Sequence, residues 1–358
     1  MNTIKLISMI PLYKLNRSFG FPKIMPSNLT VSVTYKCNSR CSTCNVWKKN
    51  TEEFTLEEFE KTFKSIGDVF WITFSGGEPF LRNDFVEICK SAYGNCRPKI
   101  INIPTNGLLF DKIPESVEEI VKSCPKTQIV VNLSIDGIGE RHDIIRGVKG
   151  NFNKAMKTYE ALRSLNYKNF NLGVHTVISK FNVENIPEIY ELAKKLRADS
   201  FITEIAEERV ELDTMGADIT PSIEDYSTAI DFLSERIRKY KFSGLSKITQ
   251  AFRLQYYDLV KRTLRERRQV IPCYAGIASC QISPDGDVWA CCIKAKSMGN
   301  LRDVDYDFKK IWFSEKANEI RKSIKNKECY CPLANASYTN MLCNFKTLGK
   351  VLWIVLFK

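Results

Sequence analysis

Between residues 28 and 205 the chain alternates short runs rich in β-branched and aromatic residues with amphipathic helical stretches, six times over. Strand candidates fall at 29–34, 69–74, 100–104, 129–135, 170–178 and 200–205. A strand that hands over to a helix and then to another strand favours a parallel neighbour with a crossover helix, so the rhythm restricts the fold to α/β. Six units fall short of a closed eightfold barrel. The predicted fold class is therefore α/β: a partial six-unit (β/α) TIM-like barrel followed by a small cysteine-rich C-terminal domain. Helix signals lie between the strands: Thr55 with Glu58 makes a capping box, Asn83 and Asp84 open a helix through Tyr93, and Asn182 precedes a helical run to Arg197.

Outside the rhythm the composition shifts in blocks. Residues 1–27 are apolar and basic, 28–220 form the α/β core, and 221–270 read as a helical bridge with Ile223, Tyr226, Ile230, Leu233 and Ile237 at helical spacing. Residues 271–346 are cysteine-rich, with a hairpin turn at Pro284-Asp285-Gly286 and an amphipathic helix over 308–324. Residues 347–358 form an apolar tail. Neither terminal segment has the roughly 20 apolar residues that span a bilayer, but each has the apolar surface and basic flanks of an interfacial helix. The alternative is that both simply pack on the barrel. A length of 358 residues with 44% hydrophobic and 26% charged residues supports a large soluble core and a second small one.

The chain has 13 Cys and only 2 His, His142 and His175. Two histidines exclude a His-rich zinc or non-haem iron site, so the chemistry runs through sulfur. Disulfide frameworks suit small secreted domains, whereas this is a large chain without a cleavable signal peptide, and the clustered cysteines point to metal. The net charge of +12 is diffuse and comes with no recognisable RNA-binding module, so a nucleic-acid partner is not expected.

Cys37, Cys41 and Cys44 form a CX3CX2C triplet directly after the first strand. Three thiolates on one loop can ligate three irons of a [4Fe-4S] cluster and leave the fourth open to a ligand. Ser75-Gly76-Gly77-Glu78-Pro79 ends the second strand, where glycines permit close backbone approach to a ligand and a carboxylate can accept from an ammonium group. Together these motifs resemble the radical S-adenosylmethionine (SAM) superfamily. The resemblance covers roughly residues 28–206.

It implies that the open iron chelates SAM and that Gly76, Gly77 and Glu78 contact its amino group. It further implies Ser134 and Arg146 as partners of the SAM carboxylate, with Asn106 and Asp136 as ribose or structural residues. Asn106-Gly107 and Asp136-Gly137 are also ordinary turn sequences. Thr43 stands where many members carry an aromatic residue that bears on a local adenine contact.

Cys273, twelve residues, Gly286, four residues, Cys291 resembles the opening of the SPASM and twitch auxiliary-cluster domains. The later cysteines depart from the full SPASM pattern, so the resemblance implies one auxiliary [4Fe-4S] cluster, on Cys273 and Cys291 with two of Cys329, Cys331 and Cys343. Four such thiolates also satisfy zinc. Cys280 and Cys292 are spare buried thiols. The acidic run Glu204, Glu207, Glu208, Glu211 and Asp213 follows the sixth strand and reads mostly as a solvated face, with Glu204 the member nearest the barrel mouth.

As a member of this superfamily the chain is expected to cleave SAM reductively to a 5′-deoxyadenosyl radical and abstract hydrogen from a peptide or protein. The runner-up substrate is a membrane lipid or polyprenyl-linked sugar headgroup, with other small molecules also represented among relatives; the non-enzymatic reading is an iron-sulfur or zinc-binding interaction protein. The resemblance implies an electron donor such as flavodoxin or ferredoxin and a cytoplasmic protein, with peripheral contact at the inner membrane surface through its termini.

Overall fold

A computed structural model of the chain describes residue 1 and residues 3–239 and 244–357. Residues 240–243, within the expected helical bridge, and Lys358 of the tail lie outside the described residues. Six parallel strands appear where the hydrophobic runs place them: β1 (Asn28–Thr34), β2 (Trp71–Gly76), β3 (Ile100–Thr105), β4 (Gln128–Ser134), β5 (Phe170–Ile178) and β6 (Ser200–Ile205). Each pairs with its predecessor, and crossover helices lie between them, as the rhythm demands. The sheet is open, running β6-β5-β4-β3-β2-β1. Its interior rows, including Val31, Phe74, Ile103, Val131 and Val174, are buried and merge with the inner faces of the helices into one core.

The cysteine-rich region continues this sheet. Strand β7 (Ser279–Ile282) lies parallel to β1, and β8 (Asp287–Trp289) and β9 (Ser297–Asn300) follow antiparallel. The hairpin between β7 and β8 turns at Gly286, whose φ is +90°, and a Cβ there would lie 2.3 Å from the Phe54 ring. Glycine is thus required both by the turn and by the approach of residue 54.

Thr55 and Glu58 make the expected capping box of helix Leu56–Ile66. Glu58 does more: it accepts from Arg302 Nε at 2.7 Å and from Tyr306 at 2.9 Å, tying the core to the C-terminal region. The expected helix over 308–324 is two helices, Phe308–Trp312 and Glu315–Lys325. The break has a local cause, because the Ser314 side chain caps the second helix by accepting from Ala317 N. The Asn182 side chain makes no helix-capping bond; its Oδ1 accepts from Ser179 N at 2.8 Å, and the helix Ile186–Lys195 begins a turn later.

Both terminal segments are helical, at Thr3–Phe19 and Phe345–Phe357. Each packs one face on the protein, through Tyr13 in the first and Val351 in the second. No helix among the described residues is long and apolar enough to cross a membrane.

Candidate functional site

The Cys37–Cys44 loop leaves β1 at the C-terminal end of the parallel strands and is fixed from both sides. On one side, Gly77 N donates to Thr34 O at 2.7 Å and Glu78 N to Lys36 O at 2.9 Å. A Cβ on Gly76 would lie 2.1 Å from Thr34 O, and one on Gly77 2.0 Å from Lys36 O. The two glycines therefore serve the approach of β2 to the strand that feeds the cysteine loop. On the other side, Arg40 N donates to Arg146 O at 2.9 Å and Ser42 N to Ile145 O at 2.8 Å. Gly147, with φ +64°, has room for no side chain, since its Cβ would sit 2.3 Å from Arg40 O.

Donors surround the sulfurs. Arg146 Nη1 lies 3.5 Å from Cys41 Sγ, Ser39 N donates to Cys37 Sγ at 3.4 Å, and Asn106 Nδ2 lies 3.9 Å from the same sulfur. Burial pushes the Cys37 thiol up to about 11 and Cys44 up to about 12, so both thiolates need compensation. Cluster iron would supply it, and the nearby N–H groups suit sulfur that carries negative charge. The buried Ser39 hydroxyl has no partner, a further polar group available beside the loop.

Glu78 is 1% exposed, and both its oxygens are occupied. They accept from Thr105 Oγ1 at 2.9 Å, Asn106 N at 2.8 Å and Phe80 N at 3.3 Å, while burial raises its pKa to about 7. Asn106 donates to Asn38 at 2.7 Å, linking the turn after β3 to the cysteine loop. Asp136, after β4, accepts from Val177 N at 2.9 Å and lies 2.9 Å from Arg146 Nε. Burial lowers the Arg146 guanidinium, but Asp136, Cys41 and Cys37 outweigh it and hold it above its ordinary value. His142 is fully buried, with Nδ1 accepting from Asp136 N at 3.2 Å and Nε2 3.1 Å from Asn151 Oδ1. Burial lowers it to about 4, so it is a neutral support for the loop. Ser134 is buried at the end of β4, opposite His175 in the ladder. The sequence-selected residues at 37–44, 78, 106, 136 and 146 thus form one connected neighbourhood.

The acidic run is not a solvated face. Glu207 and Glu211 are buried, Glu204 and Glu208 are half-buried, and only Asp213 is exposed. Arg209, missed by the sequence reading, explains part of this: its guanidinium lies 3.4 Å from Glu207 and 3.8 Å from Glu204 and also approaches the Cys292 sulfur at 4.0 Å. Glu204 lies 3.6 Å from His175. Burial would raise Glu204, but His175 and Arg209 outweigh it and hold it below the usual carboxylate range. Burial raises Glu207 to about 7 despite Arg209. Glu211 turns away, accepting from Ser32 at 2.9 Å and from Gln281. A lone arginine inside an acidic run was the available signal, since buried carboxylates require a partner.

The C-terminal thiols come from three separated segments. Cys273 is electrostatically coupled to Cys291 and Cys329, and Cys331 to Cys273 and Cys291. Burial pushes all four up, Cys273 to about 11, and backbone N–H groups of Ala275, Ile293, Lys294 and Leu333 oppose the rise. Four thiols with such donors suit a thiolate-bound metal group. Cys343, the C-cap of helix Ala334–Leu342, is buried in a different cluster, with Tyr13, Tyr274, Ile277 and Ala278. Cys280 is buried in the main core, and all thirteen cysteines are free of disulfides. No three His, Cys, Asp or Glu side chains among the described residues converge on a single-ion site.

The sequence profile of the Radical SAM superfamily matches residues 31–193, and that of the SPASM iron-sulfur cluster-binding domain matches residues 273–332. The chain belongs to the radical SAM superfamily. Its cofactors are accordingly SAM and [4Fe-4S] chemistry in the first domain and auxiliary iron-sulfur binding in the second. It is 28% identical over 325 residues to the antilisterial bacteriocin subtilosin biosynthesis protein AlbA of Bacillus subtilis, covering 87% of this chain and 66% of that protein. It is 27% identical over 320 residues to the Fe-coproporphyrin III synthase of Methanosarcina barkeri, covering 83% and 76%. The fold is that of Streptococcus suis SuiB bound to its precursor peptide SuiA, with a TM-score of 0.62 at 16% identity, over 90% of this chain and 72% of that one. The chain is thus an enzyme of this superfamily, with a partial barrel and a cysteine-rich SPASM region.

Proposed function

We propose that this enzyme modifies a peptide or protein by removing a hydrogen atom from an unactivated C–H bond. The observation that carries the proposal is the cysteine loop itself, clamped between the Gly76-Gly77 turn and Arg146-Gly147 with N–H donors aimed at its sulfurs. Cys37, Cys41 and Cys44 hold the catalytic cluster. When bound, SAM on that cluster supplies a 5′-deoxyadenosyl radical after one-electron reduction by a donor such as flavodoxin or ferredoxin.

The chain's own residues position rather than exchange protons. Glu78 fixes the turn after β3 against the cysteine loop, leaving Gly76 and Gly77 backbone at the rim for the SAM amino group. Arg146, paired with Asp136 and beside the Cys41 sulfur, would hold the SAM carboxylate together with Ser134 at the end of β4. Cys273, Cys291, Cys329 and Cys331 hold one auxiliary cluster, which binds substrate or accepts its electron. Work in the cytoplasm follows from the redox state these thiols require.

A peptide substrate is supported by the likeness to a bacteriocin biosynthesis protein and to a fold that binds a precursor peptide. A tetrapyrrole is the second reading, favoured by the comparable identity to an Fe-coproporphyrin III synthase. The test is anaerobic incubation of the reconstituted enzyme, SAM and dithionite with any short peptide encoded beside its gene, and separately with an iron tetrapyrrole that is a precursor of iron coproporphyrin III. A mass change in the peptide supports the proposal. Conversion of the tetrapyrrole with an unchanged peptide overturns it.

A further inference from the structure

The two terminal helices are apolar on opposite faces at once. In helix Thr3–Phe19, Tyr13 is buried and Leu6, Met9 and Ile10 are half-buried on one side, while Ile4, Ile7, Leu15 and Phe19 are exposed on the other. Ile4 is 79% exposed and Phe19 67%. The exposed positions recur at helical spacing and form a stripe diametrically opposite the packed one. Helix Phe345–Phe357 repeats the arrangement: Thr347 and Val351 face inward, and Phe345, Leu352, Trp353 and Leu356 face outward. A helix with two apolar faces and a single packed one leaves a face that water does not favour.

The two faces belong to one surface. Lys14 Nζ of the first helix stands 3.2 Å over the ring of Phe345 at the start of the second, and Phe19 and Phe21 lie side by side at the end of the first. Charge is one-sided here. The chain has 41 acidic residues, but the first is Glu52 and the last Glu328. Lys5 is already met by the Asp68 carboxylate at 3.5 Å, so the positive charge here comes from Lys14, Arg17, Lys23, Lys346 and Lys350, with no carboxylate within residues 1–27 or 345–357. A second copy of the chain docking on this face would bring the same cations against it. A surface that is apolar at depth and anionic at its rim fits both features, and a tryptophan at the boundary suits it too.

From this we infer that the two terminal helices dock the enzyme on an anionic lipid bilayer, lying in the interface plane. With 17 and 13 residues they are too short to cross it and long enough to lie on it. The orientation follows from the fold. The Met1 amino group donates to Val69 O and Arg97 O, residues that precede β2 and β3, and Tyr13 donates to Met25 O just before β1. The docking helix is thus at the N-terminal end of the parallel strands, and the cysteine triad is at the other end, about 20 Å away along a strand of this length. The bilayer holds the enzyme with its active face toward the aqueous phase, so the lipid is a support and not the substrate, whichever substrate is turned over.

Flotation of the full-length protein with vesicles of phosphatidylcholine alone, or of phosphatidylcholine with phosphatidylglycerol, tests this directly. Wild type should float with the anionic vesicles about tenfold more strongly than with neutral ones, and added salt should weaken it. Leu352→Glu with Leu356→Glu, and separately Ile7→Glu with Leu15→Glu, should each lower the bound fraction at least about tenfold. Lys346→Glu with Lys350→Glu should lower binding to anionic vesicles and leave binding to neutral ones unchanged. All six positions are exposed, and unchanged circular dichroism melting verifies that the variants remain folded. The inference fails if wild type ignores anionic vesicles, if the folded variants bind like wild type, or if charge makes no difference. It fails equally if the exposed positions instead drive concentration-dependent self-association that the glutamate variants abolish.

Discussion

The two groups of thiols reach similar chemistry by different routes. Cys37, Cys41 and Cys44 occupy one eight-residue loop, and the fold contributes by clamping that loop between the second strand's glycines and Gly147. Cys273, Cys291, Cys329 and Cys331, the proposed auxiliary ligands, are drawn from segments separated by up to 58 positions, on a region that joins the core where β7 adds to β1. The first group is local in sequence and held by its own loop's backbone; the second is remote in sequence and depends on tertiary structure to come together. The difference predicts that damage to the first abolishes the reaction at its start, whereas damage to the second interrupts it later.

The sharpest separation uses one thiol from each group. Cys44→Ala removes a ligand that makes the catalytic cluster, and both 5′-deoxyadenosine and product should fall below detection. Cys291→Ala leaves that loop intact, so SAM cleavage with dithionite should persist slowly while product formation is lost. Chromatography of 5′-deoxyadenosine with parallel iron analysis reads both. A wild-type rate in Cys44→Ala, or normal product from folded Cys291→Ala, would break the division of labour.

Backbone tightness is the next difference to probe. Gly147→Ala places a methyl within contact of Arg40 O, whereas Gly150, also left-handed at φ +77°, has nothing within 4 Å. Each substitution bears about 1 kcal/mol of backbone strain, but only Gly147→Ala must push the cysteine loop aside. SAM cleavage should drop at least about tenfold in Gly147→Ala. Gly150→Ala should remain within about threefold of wild type. Equal activities would mean that the clamp does not matter.

Much of this was legible in the chain before folding. The strand positions follow from runs of buried side chains, and the cysteine triplet from spacing alone. Gly76 and Gly77 also approach the carbonyls of Thr34 and Lys36, a packing role that only the neighbouring strand reveals. The burial of Glu207 and Glu211 was hidden because their partners, Arg209 for the one and Ser32 and Gln281 for the other, are mostly brought by other strands. Cys343 was indistinguishable from Cys329 and Cys331 as a thiol near the chain end, and only its burial in a different cluster sets it apart.

That choice of ligands gives a third test. Cys331→Ser should lower iron from about eight to about four per chain, and Cys343→Ser should leave about eight, by the count of four irons in each of two clusters. About four iron with one zinc in wild type would replace the auxiliary cluster by a zinc site. Iron loss in Cys343→Ser alone would move the second group toward the N-terminal helix.

The smallest effect concerns the seam between the two regions. Arg302 binds the Glu58 carboxylate through Nε at 2.7 Å and reaches the carbonyls of Glu52 and Glu53, so the hairpin region is fastened to the helix that begins after Thr55. The Arg302 hydrogen bond is the main reason that Glu58 is lowered from 4.5 to about 2. A carboxylate with a depressed value in the folded state stabilises the fold fully above its unfolded value, and the contribution is lost as pH falls from about 4.5 toward 2. Glu58→Gln keeps the capping box and removes the charge, so it isolates this pair. Its cost should be about 1–2 kcal/mol at pH 7, reflecting a partly solvated pair rather than a buried one. The stability difference between wild type and Glu58→Gln, followed by circular dichroism in urea, should shrink as the medium is acidified below 4.5. Acid loss of iron affects both proteins alike and cancels in the difference. A gap that stays constant with pH would show that the Glu58 charge contributes nothing, and that packing alone holds the two regions together.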